Sequence, residues 1–542
     1  MSLATPPAYD RCRITPLLDG SEYATALASA LDRVGRAPTL DGNAGQCILV
    51  AGWWLGLARG RFELTEGRRI ASALRIPAMR LHDAPGYCLD PWPDPESVPF
   101  EDAPDESSAL LDVLIAKARA GVDVRVLGWV STSMRWSGIA RRIGAAHIVA
   151  VNALTMRSIE ALRAEPAIAG RALPNLVGHT AGSTHSKIVL VCDGTDTIGF
   201  TGGLDLEASR WARLDHSGRQ TWHDVVAQVE GPAVQGIYDH FKTMWDANLA
   251  RKPEEFNLEG RPVLSVLPDT PELPERELPV RENVGVHRVQ PLETLPAARY
   301  ARGTWLPTSK EFPSAPSGRF TYRDALCDAI AQAREYVYIE DQLHWSREVM
   351  DWLNQALRAN AGLRVILLLS GLDDPNDPPL PHDAYLDQAI NHHLLKDLSG
   401  AETERVLAFR RIGITIHAKT VIVDDVWASI GSCNIGARSL YTDVEYGVGF
   451  TDPEGDLVAS YRARLWDHHL RTGSPEKIAD LATALQAWES SATDSGAANT
   501  LMPLSLPVAA VPYSGRAERL YQGSHDPDSR ATWGGVLPPG SF

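Results

Sequence analysis

The chain has 542 residues, of which 44% are hydrophobic, a composition that suits a packed globular protein of two or more domains and excludes a disordered one. It carries 52 lysines and arginines against 68 aspartates and glutamates, which gives a formal net charge of −16, and it has no long basic run. This acidic balance disfavours tight non-specific binding to nucleic acid or to anionic membrane surfaces.

The first predicted elements come before any residue with an evident chemical role. After an irregular start, the patterns predict helices over residues 23–36 and 108–120 and strands over residues 46–55 and 122–129. The alternation of helix and strand predicts a layered α/β unit. Trp53 and Trp54 end the first of these strands, and a place in the core is favoured for the pair over a platform that faces a substrate.

A first group of polar residues begins at His185. His185 and Lys187 open an apolar strand, an acidic turn follows at Asp193, and a second strand leads to the segment 202–205, which ends in Asp205. Further along, Asp224 opens another strand.

Residues 251–318 are rich in proline and acidic residues and are predicted to be an extended linker with one strand at 284–289. Order resumes with helices over 322–333 and 346–359 and strands over 336–341 and 363–369. The same order of helix and strand precedes His185, so the sequence predicts an internal duplication.

An insertion over residues 371–403 begins as a loop rich in proline and aspartate and is predicted to end as a helix. His382, His392 and His393 lie in it, but their spacing matches no standard metal site, and a solvated loop is favoured. A lid over the substrate is one hypothesis for this insertion.

The second group of polar residues begins at His417. His417 and Lys419 lie two residues apart on a strand, so strand alternation sends both side chains to one face. There an imidazole can transfer a proton or act as a nucleophile while an ammonium holds the same anion, and a phosphoryl group suits this pair. A turn at Asp424 leads to a second strand that ends in Ser432 and Asn434, and the amide of Asn434 can donate a hydrogen bond to the same anion.

The pattern H-x-K-x4-D, followed by G-S-x-N and by Asp443 and Glu445, resembles the C-terminal signature of the phospholipase D superfamily. The segment from His185 repeats it, with one departure: Cys192 stands at the motif's aspartate position and Asp193 follows it. Asp193 is expected to close the turn and Cys192 to be a buried packing residue. The order GGLDL, RW, WHD and EGPAV after the first copy resembles phospholipase D proper.

The resemblance implies an α/β fold in which two similar α/β/α sandwich halves are related by a pseudo-twofold axis and share one active site at their interface. It implies that His185 is the nucleophile that forms a phosphohistidine and that His417 is the general acid and base. Lys187, Lys419 and Asn434 would hold the phosphoryl oxygens. The acidic residues placed at corresponding positions, Asp224 and Asp443, would hydrogen-bond the histidines.

Supporting roles go to the remaining polar residues of the two motifs. Asp205 replaces Asn434 in the first copy, and because a carboxylate repels a phosphodiester, it is expected to orient Lys187 or Lys419 or to contact a cationic head group. The full set of supporting residues is Asp193, Asp205, Asp224, Asp424, Ser432, Asp443 and Glu445. No metal and no cofactor are expected, because the lysines supply positive charge.

The predicted organisation is a first half over residues 1–250, the linker over 251–318, a second half over 319–475, and a terminal helix with a loosely packed tail over 476–542. Hydrolysis or transphosphatidylation of glycerophospholipids at a membrane or micelle surface is the favoured function. The alternatives are a phosphatidyl transferase of the cardiolipin synthase type, a nuclease, and, least favoured, a non-catalytic binding module. Nucleic acid is a disfavoured substrate.

The N-terminal residues show no signal peptide and no stretch spans a bilayer, so a soluble cytoplasmic protein is the default expectation, with signal-independent export left open. The six cysteines form no C-x-x-C pair and are expected to be free thiols.

Overall fold

The fold is described by a computed structural model. It covers residues 8–58, 60–61, 83–84, 87–89, 109–130, 145–178, 182–216, 222–251, 257–258, 261–262, 269–296, 312, 314–342, 346–370, 390–452, 455–492 and 501–508.

The first half alternates strands and helices and ends in a long helix. Its elements are β1 (Tyr9–Leu18), α1 (Asp19–Leu31), β2 (Cys47–Gly52), α2 (Leu110–Arg119), β3 (Asp123–Trp129), α3 (Ala145–Arg163), β4 (Ala172–Asn175), β5 (Ile188–Cys192), β6 (Thr197–Gly202), β7 (Trp222–His223), β8 (Val225–Glu230) and α4 (Val234–Leu249).

The second half repeats this order and adds elements at its C-terminal end. It comprises β9 (His287–Leu295), β10 (Arg319–Phe320), α5 (Thr321–Gln332), β11 (Tyr336–Asp341), α6 (Arg347–Ala359), β12 (Arg364–Ser370), β13 (Val406–Arg411), β14 (Thr415–Ile416), β15 (Lys419–Val423), β16 (Trp427–Gly431), α7 (Ala437–Tyr441), β17 (Glu445–Thr451), α8 (Leu457–Leu470), α9 (Leu481–Ser491) and β18 (Leu501–Pro503). Short helical turns at Ile390–Leu394 and Gly400–Thr403 precede β13.

One large sheet runs through both halves. Its strand order is β18-β13-β12-β11-β15-β16-β17-β9-β1-β8-β6-β5-β2-β3-β4, and β10 pairs with β9. β1 and β9 lie side by side and antiparallel at the centre, with Tyr9 opposite Val289. Outward from them, the seven strands of the first half have the same order and the same parallel or antiparallel sense as their counterparts in the second half. The predicted α/β fold with two halves related by a pseudo-twofold axis is therefore confirmed.

Helices cover both faces of the sheet. Successive residues of each strand point to opposite faces, and because both sets are apolar, each face needs a covering layer. In β2, Leu49 and Ala51 join a core that extends through both halves, whereas Ile48 and Val50 join a core confined to the first half. α4, α8 and α9 bury Trp245, Trp466 and Trp488 in the shared core. A third core, confined to the second half, lies under α5 and α6.

The local sequence explains where α6 starts and which of its faces is buried. Ser346 caps its N-terminus by accepting a hydrogen bond from the Val349 amide at 3.3 Å. Val349, Leu353 and Leu357 recur at helical spacing and are fully buried. The other helices predicted in this half likewise lie within a few residues of the observed ones.

The two central strands are where the sequence analysis differs most from the structure. The predicted irregular start is wrong from Tyr9 onward, since β1 begins there, and the strand predicted at 284–289 lies instead at His287–Leu295. Each contains a proline, Pro16 in β1 and Pro291 in β9, and a proline argues against a central strand because it cannot donate to the ladder. Since β9 is the counterpart of β1, its pairing favours a second half that begins before His287, although the domain boundaries stay a prediction.

The C-terminal tail also differs in part from its prediction. Leu501–Pro503 is not loosely packed, because it pairs with Phe409–Arg411 and extends the edge of the sheet. Most of the insertion, residues 371–389 with His382, lies outside the described residues. His393 Nδ1 donates a hydrogen bond to Asp351 Oδ1 at 2.9 Å, and His393 takes part in no group of potential metal ligands in the described part of the chain. None of the described helices has both the length and the apolar character that a membrane-spanning segment needs.

Candidate active site

The two His-Lys pairs lie at equivalent positions, immediately before or at the start of β5 and β15. All four side chains are buried, with His185 9% exposed and Lys419 2% exposed. Each lysine turns back on its own motif: Lys187 Nζ donates to the His185 carbonyl at 3.0 Å, and Lys419 Nζ donates to the His417 carbonyl. The prediction that each histidine and lysine share one face agrees with this placement.

Backbone hydrogen bonds between the halves hold both histidines at a single interface. The amides of His185 and Ser186 donate to the carbonyl of Val444 at 2.8 and 2.9 Å. The amides of His417 and Ala418 donate to the carbonyl of His223 at 2.8 and 3.0 Å. Each histidine is therefore positioned by the half of the molecule to which it does not belong.

The carboxylates that orient the imidazoles are exchanged in the same way. Asp224 of the first half lies 3.0 Å from His417 Nδ1, and Glu445 of the second half lies 3.1 Å from His185 Nδ1. The predicted correspondence of Asp224 with Asp443 is wrong. Val444 is the counterpart of His223, so the residue that follows it, Glu445, is the counterpart of Asp224.

Asp443 instead supports the chain that carries His185. Its Oδ1 accepts a hydrogen bond from the Ser183 amide at 2.6 Å and another from Arg438 at 3.0 Å. Asp443 therefore holds the segment just before the motif, whereas the carboxylate hydrogen-bonded to the imidazole is that of Glu445.

The tautomer of His185 follows from its partners. Its Nδ1 lies 3.0 Å from the Ser432 carbonyl, an oxygen that can only accept, and close to the Glu445 carboxylate. Nδ1 must therefore carry the proton, which leaves the lone pair on Nε2. Ser432 adds a hydrogen bond from its own hydroxyl to Glu445, so this carboxylate is shared.

Burial sets the charge states of the site. Burial, together with Lys187 and Lys419, holds the pKa of His185 well below its ordinary value, and burial and Lys419 do the same for the pKa of His417. Burial raises the pKa of Glu445 to about 7 and the pKa of Asp224 to about 7, because ionised carboxylates are poorly solvated there. Burial lowers the pKa of Lys419 to about 8.

Asp205 and Asn434 occupy the same relative place in the two halves. Asp205 is fully buried, and its Oδ1 accepts a hydrogen bond from the Trp54 amide at 3.1 Å and lies 3.4 Å from Lys187 Nζ. Lys187 is one of the two cations that the sequence analysis named as its partner. Asn434 is 9% exposed, and its Oδ1 has no hydrogen-bond partner within the described residues.

Asp424 and Asp193 lie at the hairpin turns, separated from the histidines by the length of β15 or β5. Asp424 accepts hydrogen bonds from the amides of Arg334, Glu335 and Tyr336 at 2.6, 2.8 and 2.8 Å and thus fixes the start of β11. Asp193 accepts from the amides of Thr195 and Asp196 and forms an ion pair with Arg33.

Cys192 is buried and lies opposite Cys47 on the neighbouring strand. At the equivalent position of the second half, the Asp424 side chain accepts a hydrogen bond from the Tyr336 amide. This placement agrees with the expected packing role. All six cysteines of the chain are free thiols.

Arg210 is a site residue that the sequence analysis did not single out. It is 3% exposed, its guanidinium lies 3.2 Å from the ring centre of Trp222, and that ring lies 5.1 Å from the ring of His417. Nε and Nη1 of Arg210 have no hydrogen-bond partner in the described part of the chain. A buried arginine with free donors beside a histidine is suited to a phosphate oxygen. Its only sequence signal is the RW pair, Arg210 with Trp211, and this pair stands at no fixed distance from the His-Lys motif that would have marked it as part of the site.

Trp53 is a second such residue. Its partner Trp54 is buried, as expected for a core residue, but Trp53 is only partly buried and lies 5.6 Å from the ring of His185 and 5.6 Å from Lys187 Nζ. It also stacks on Trp129 at 5.6 Å. The core interpretation therefore describes Trp54 but not Trp53, which forms a wall of the site.

Asp341 completes the group of missed residues. It ends β11 opposite Lys419 in the strand register and accepts a hydrogen bond from the Ile435 amide at 3.0 Å. Its charge favours the protonated form of Lys419. Groups of histidines and carboxylates that could hold a metal ion exist among the described residues, but they contain neither His185 nor His417.

Comparison with known proteins gives consistent relatives. Residues 326–468 match a family model described as "Cardiolipin synthase, PLD-like domain". The chain is 25% identical over 350 residues to the probable cardiolipin synthase YwiE of Bacillus subtilis, covering 64% of this chain and 55% of that protein. It is 21% identical over 295 residues to cardiolipin synthase A of Salmonella arizonae, covering 52% and 50%. The chain thus spans about half the length of these relatives.

Among solved structures, phosphatidylserine synthase of Haemophilus influenzae superposes with a TM-score of 0.48 at 13% identity, over 88% of this chain and 93% of that one.

The duplicated α/β sheet brings two H-x-K pairs to one interface between the halves, and each histidine there has a carboxylate from the opposite half. The family model and the relatives place residues 326–468 in the phospholipase D superfamily, and the first half repeats the fold of the second.

Proposed function

We propose that this protein is a phosphatidyl transferase, which moves a phosphatidyl group from a glycerophospholipid to an alcohol through a phosphohistidine. The sequence analysis favoured hydrolysis or transphosphatidylation by an enzyme of the phospholipase D type, with a cardiolipin synthase-type transferase as the alternative. The family model and the relatives, all described as cardiolipin synthases, support the transferase alternative instead.

The exchanged pairs, His185 with Glu445 and His417 with Asp224, carry this proposal, since two imidazoles at one interface can act in turn on one phosphorus atom. Nε2 of His185 attacks phosphorus as the bond to the leaving alcohol breaks, and protonated His417 gives its proton to that alcohol. His417 then takes a proton from the acceptor alcohol, which attacks phosphorus and releases His185.

Hydrogen bonding favours His185 as the nucleophile. Its Nδ1 donates to a neutral carbonyl, and the carboxylate beside it is shared with Ser432, so this ring gains little from becoming an imidazolium. His417 lies 3.0 Å from Asp224, and burial raises the pKa of that carboxyl to about 7, so the two side chains together can hold the one proton that a general acid needs. Lys187, Lys419, Asn434 and Arg210 would hold the non-bridging oxygens.

Aromatic side chains beside both histidines support transfer over hydrolysis. Trp53 stands 5.6 Å from the ring of His185, and Trp222 stands 5.1 Å from the ring of His417. With both histidines less than a tenth exposed, these walls limit the water that can reach a phosphohistidine and leave apolar surface for the acceptor's own chains.

The test uses vesicles of labelled phosphatidylglycerol or phosphatidylethanolamine, with and without added glycerol, and separates the lipid products. Formation of a phosphatidyl alcohol or of cardiolipin in excess of phosphatidic acid is expected. If phosphatidic acid is the sole product at every acceptor concentration, the protein is a hydrolase and the transferase proposal is wrong. Cleavage of single-stranded DNA with steep salt dependence and no lipid turnover would support the nuclease.

The division of labour is tested separately with a substrate that carries a good leaving group. In His417→Ala, label should accumulate on His185 after rapid quench, because attack needs no acid while turnover does. His393→Ala, which changes a histidine outside the site, serves as the control. Label on His417 of the wild type would reverse the assignment.

A further inference from the structure

A second cluster of histidines lies on the protein side of the Asp224–His417 pair. It joins Asp19 at the start of α1, His216 in the segment after Arg210, and His468 in the last turn of α8, so it links both halves. His216 Nε2 lies 3.1 Å from His468 Nε2 and 3.3 Å from Asp19 Oδ2, and the distance from His468 Nε2 to Asp19 Oδ2 is 4.0 Å.

Two of these three distances match a metal-binding triangle, and the third, between His468 Nε2 and Asp19 Oδ2 at 4.0 Å, is longer than the ideal separation. A tetrahedral zinc ion with bonds of about 2.0–2.1 Å places neighbouring ligand atoms about 3.3 Å apart. The carboxylate of Asp19 is buried, and its Oδ2 has no hydrogen-bond partner among the described residues. Two imidazole nitrogens and one carboxylate oxygen thus lie within 4.0 Å of one another, and a cation between them would take the place of the proton that His216 and His468 otherwise share.

Further contacts fix the Asp19 carboxylate through its other oxygen, Oδ1. His223 Nδ1 lies 2.9 Å from Asp19 Oδ1, and the Asp224 amide donates to the same oxygen at 3.2 Å. His223 Nε2 in turn lies 3.0 Å from Glu340, and its ring stacks on His468 at 4.6 Å. Metal-binding carboxylates and histidines are characteristically oriented by such partners, which hold the ligand atoms in place before the ion arrives.

We propose that Asp19, His216 and His468 bind a divalent transition-metal ion, with zinc as the best fit. Nitrogen ligands select zinc and its neighbours over magnesium and calcium, which prefer oxygen ligands. His223 completes the group of potential ligands within 4.8 Å, but both of its nitrogens face carboxylates, so it is not assigned as a ligand.

The ion has a structural role, distinct from the phosphoryl-transfer site. Two hydrogen bonds join Asp19 to the backbone of Asp224. The Asp224 amide donates to the Asp19 carboxylate, and the Asp19 amide donates to the Asp224 carbonyl at 2.9 Å. An ion bound to Asp19, His216 and His468 therefore fastens α8 of the second half to the strand that carries the partner of His417.

Metal binding tests this with full-length protein freed of any polyhistidine tag. After dialysis against EDTA, zinc is titrated by calorimetry and bound metal is counted by mass spectrometry. We expect about one zinc ion per chain, a raised melting temperature on its addition, and visible absorption bands of a nitrogen-liganded site when Co²⁺ replaces zinc. His216→Ala and His468→Ala should lose at least about tenfold in zinc affinity.

The controls separate a lost ligand from lost packing. His468→Cys should retain zinc, because a thiolate is itself a zinc ligand, and His393→Ala, outside the cluster, should bind like the wild type. If His468→Ala fails to fold, the zinc affinity of His216→Ala decides the question, because His216 lies in a loop where the substitution disturbs less packing. Folded wild-type protein that binds no zinc, or binding that survives His216→Ala unchanged, overturns the proposal. Both outcomes are independent of lipid turnover, so they leave the proposed transferase function untouched.

Discussion

Residue chemistry at the interface depends on which carboxylate faces which imidazole. His185 keeps its proton on Nδ1 because the Ser432 carbonyl at 3.0 Å can only accept, and this leaves the lone pair on Nε2. His417 has the Asp224 carboxylate at its Nδ1. Two chemically identical side chains thus receive different environments from the opposite halves of the molecule.

The pH dependence of kcat/KM is expected to be bell-shaped with limbs near pH 7 and pH 8. Burial raises the pKa of Glu445 to about 7, so below that pH it gains a proton and holds His185 less well. Burial lowers the pKa of Lys419 to about 8, so above that pH the site loses a positive charge. Lys419→Arg should move the alkaline limb upward, because a guanidinium stays protonated. An alkaline limb that stays in place in Lys419→Arg would assign it to another group.

Arg210 is expected to contribute through the transition state. Its guanidinium is buried beside Trp222 with two donor atoms that have no partner among the described residues, so Arg210→Ala removes the charge that the proposed mechanism places against a phosphoryl oxygen. We expect kcat/KM to fall by about 10²–10³-fold, the loss typical of one preorganised donor. Arg210→Lys should recover part of it, while Arg364→Ala, a surface arginine paired with Glu489, should change little. A change of less than about threefold in Arg210→Ala would exclude the role.

At the scale of elements, the two hairpins show how equivalent turns reach the same geometry with different residues. Asp424 and Asp425 both adopt positive φ near 55°, and the Asp424 side chain ties the turn to the start of β11. In the first half, Asp193 makes hydrogen bonds within its own turn, and Cys192 meets Cys47. A strand pair can therefore be joined at this position by a carboxylate or by two buried thiols.

Asp424→Ala is expected to reduce stability and leave the chemistry intact. It removes the acceptor of three backbone amides, and an unsatisfied amide costs about 1–3 kcal/mol. Urea denaturation should show a loss of that size, while kcat of the folded fraction stays within about twofold. A large fall in kcat without a fall in stability would place Asp424 in the chemistry.

Cys192→Ser is expected to keep activity. The thiol is fully buried, and the length of β5 separates it from His185, so the substitution should affect packing alone. Turnover is compared with that of the wild type at equal folded concentration, with Cys327→Ser as a control at a partly buried thiol. Near-complete loss of turnover with the fold intact would show that the thiol has a chemical role.

The whole molecule is built so that neither half contains a complete site. The backbone amides of His185 and His417 donate to carbonyls of the opposite half, and each imidazole has a carboxylate from that half as its partner. The shared core contains residues of both halves. The central β1–β9 pair joins the halves into one sheet. Assembly of the site is thus inseparable from docking of the halves.

Complementation between fragments tests this dependence. Residues 1–250 alone and residues 269–542 alone should show no turnover, and their mixture should recover some. Residues 319–542 should fail to complement, because they lack β9, which pairs with both β1 and β17. Robust turnover by any single fragment would mean that one motif suffices.

Local patterns in the sequence were enough for the two H-x-K pairs, for the helices and strands between them, and for the turn at Asp424. These features depend on alternation and periodicity within about ten residues, which the chain displays directly. The repeated order of motif and element predicted two similar halves with one site. The site roles themselves stay predictions until they are tested.

Tertiary structure alone decided which distant residues meet. It matched Glu445, and not Asp443, with His185, because the register between the halves is set by packing and not by local spacing. It also placed Arg210 and Trp53 beside the histidines and made strands of two proline-containing segments at the centre of the sheet. Asp19, His216 and His468 converge from positions hundreds of residues apart. Such contacts arise from the docking of whole elements, so no local pattern records them.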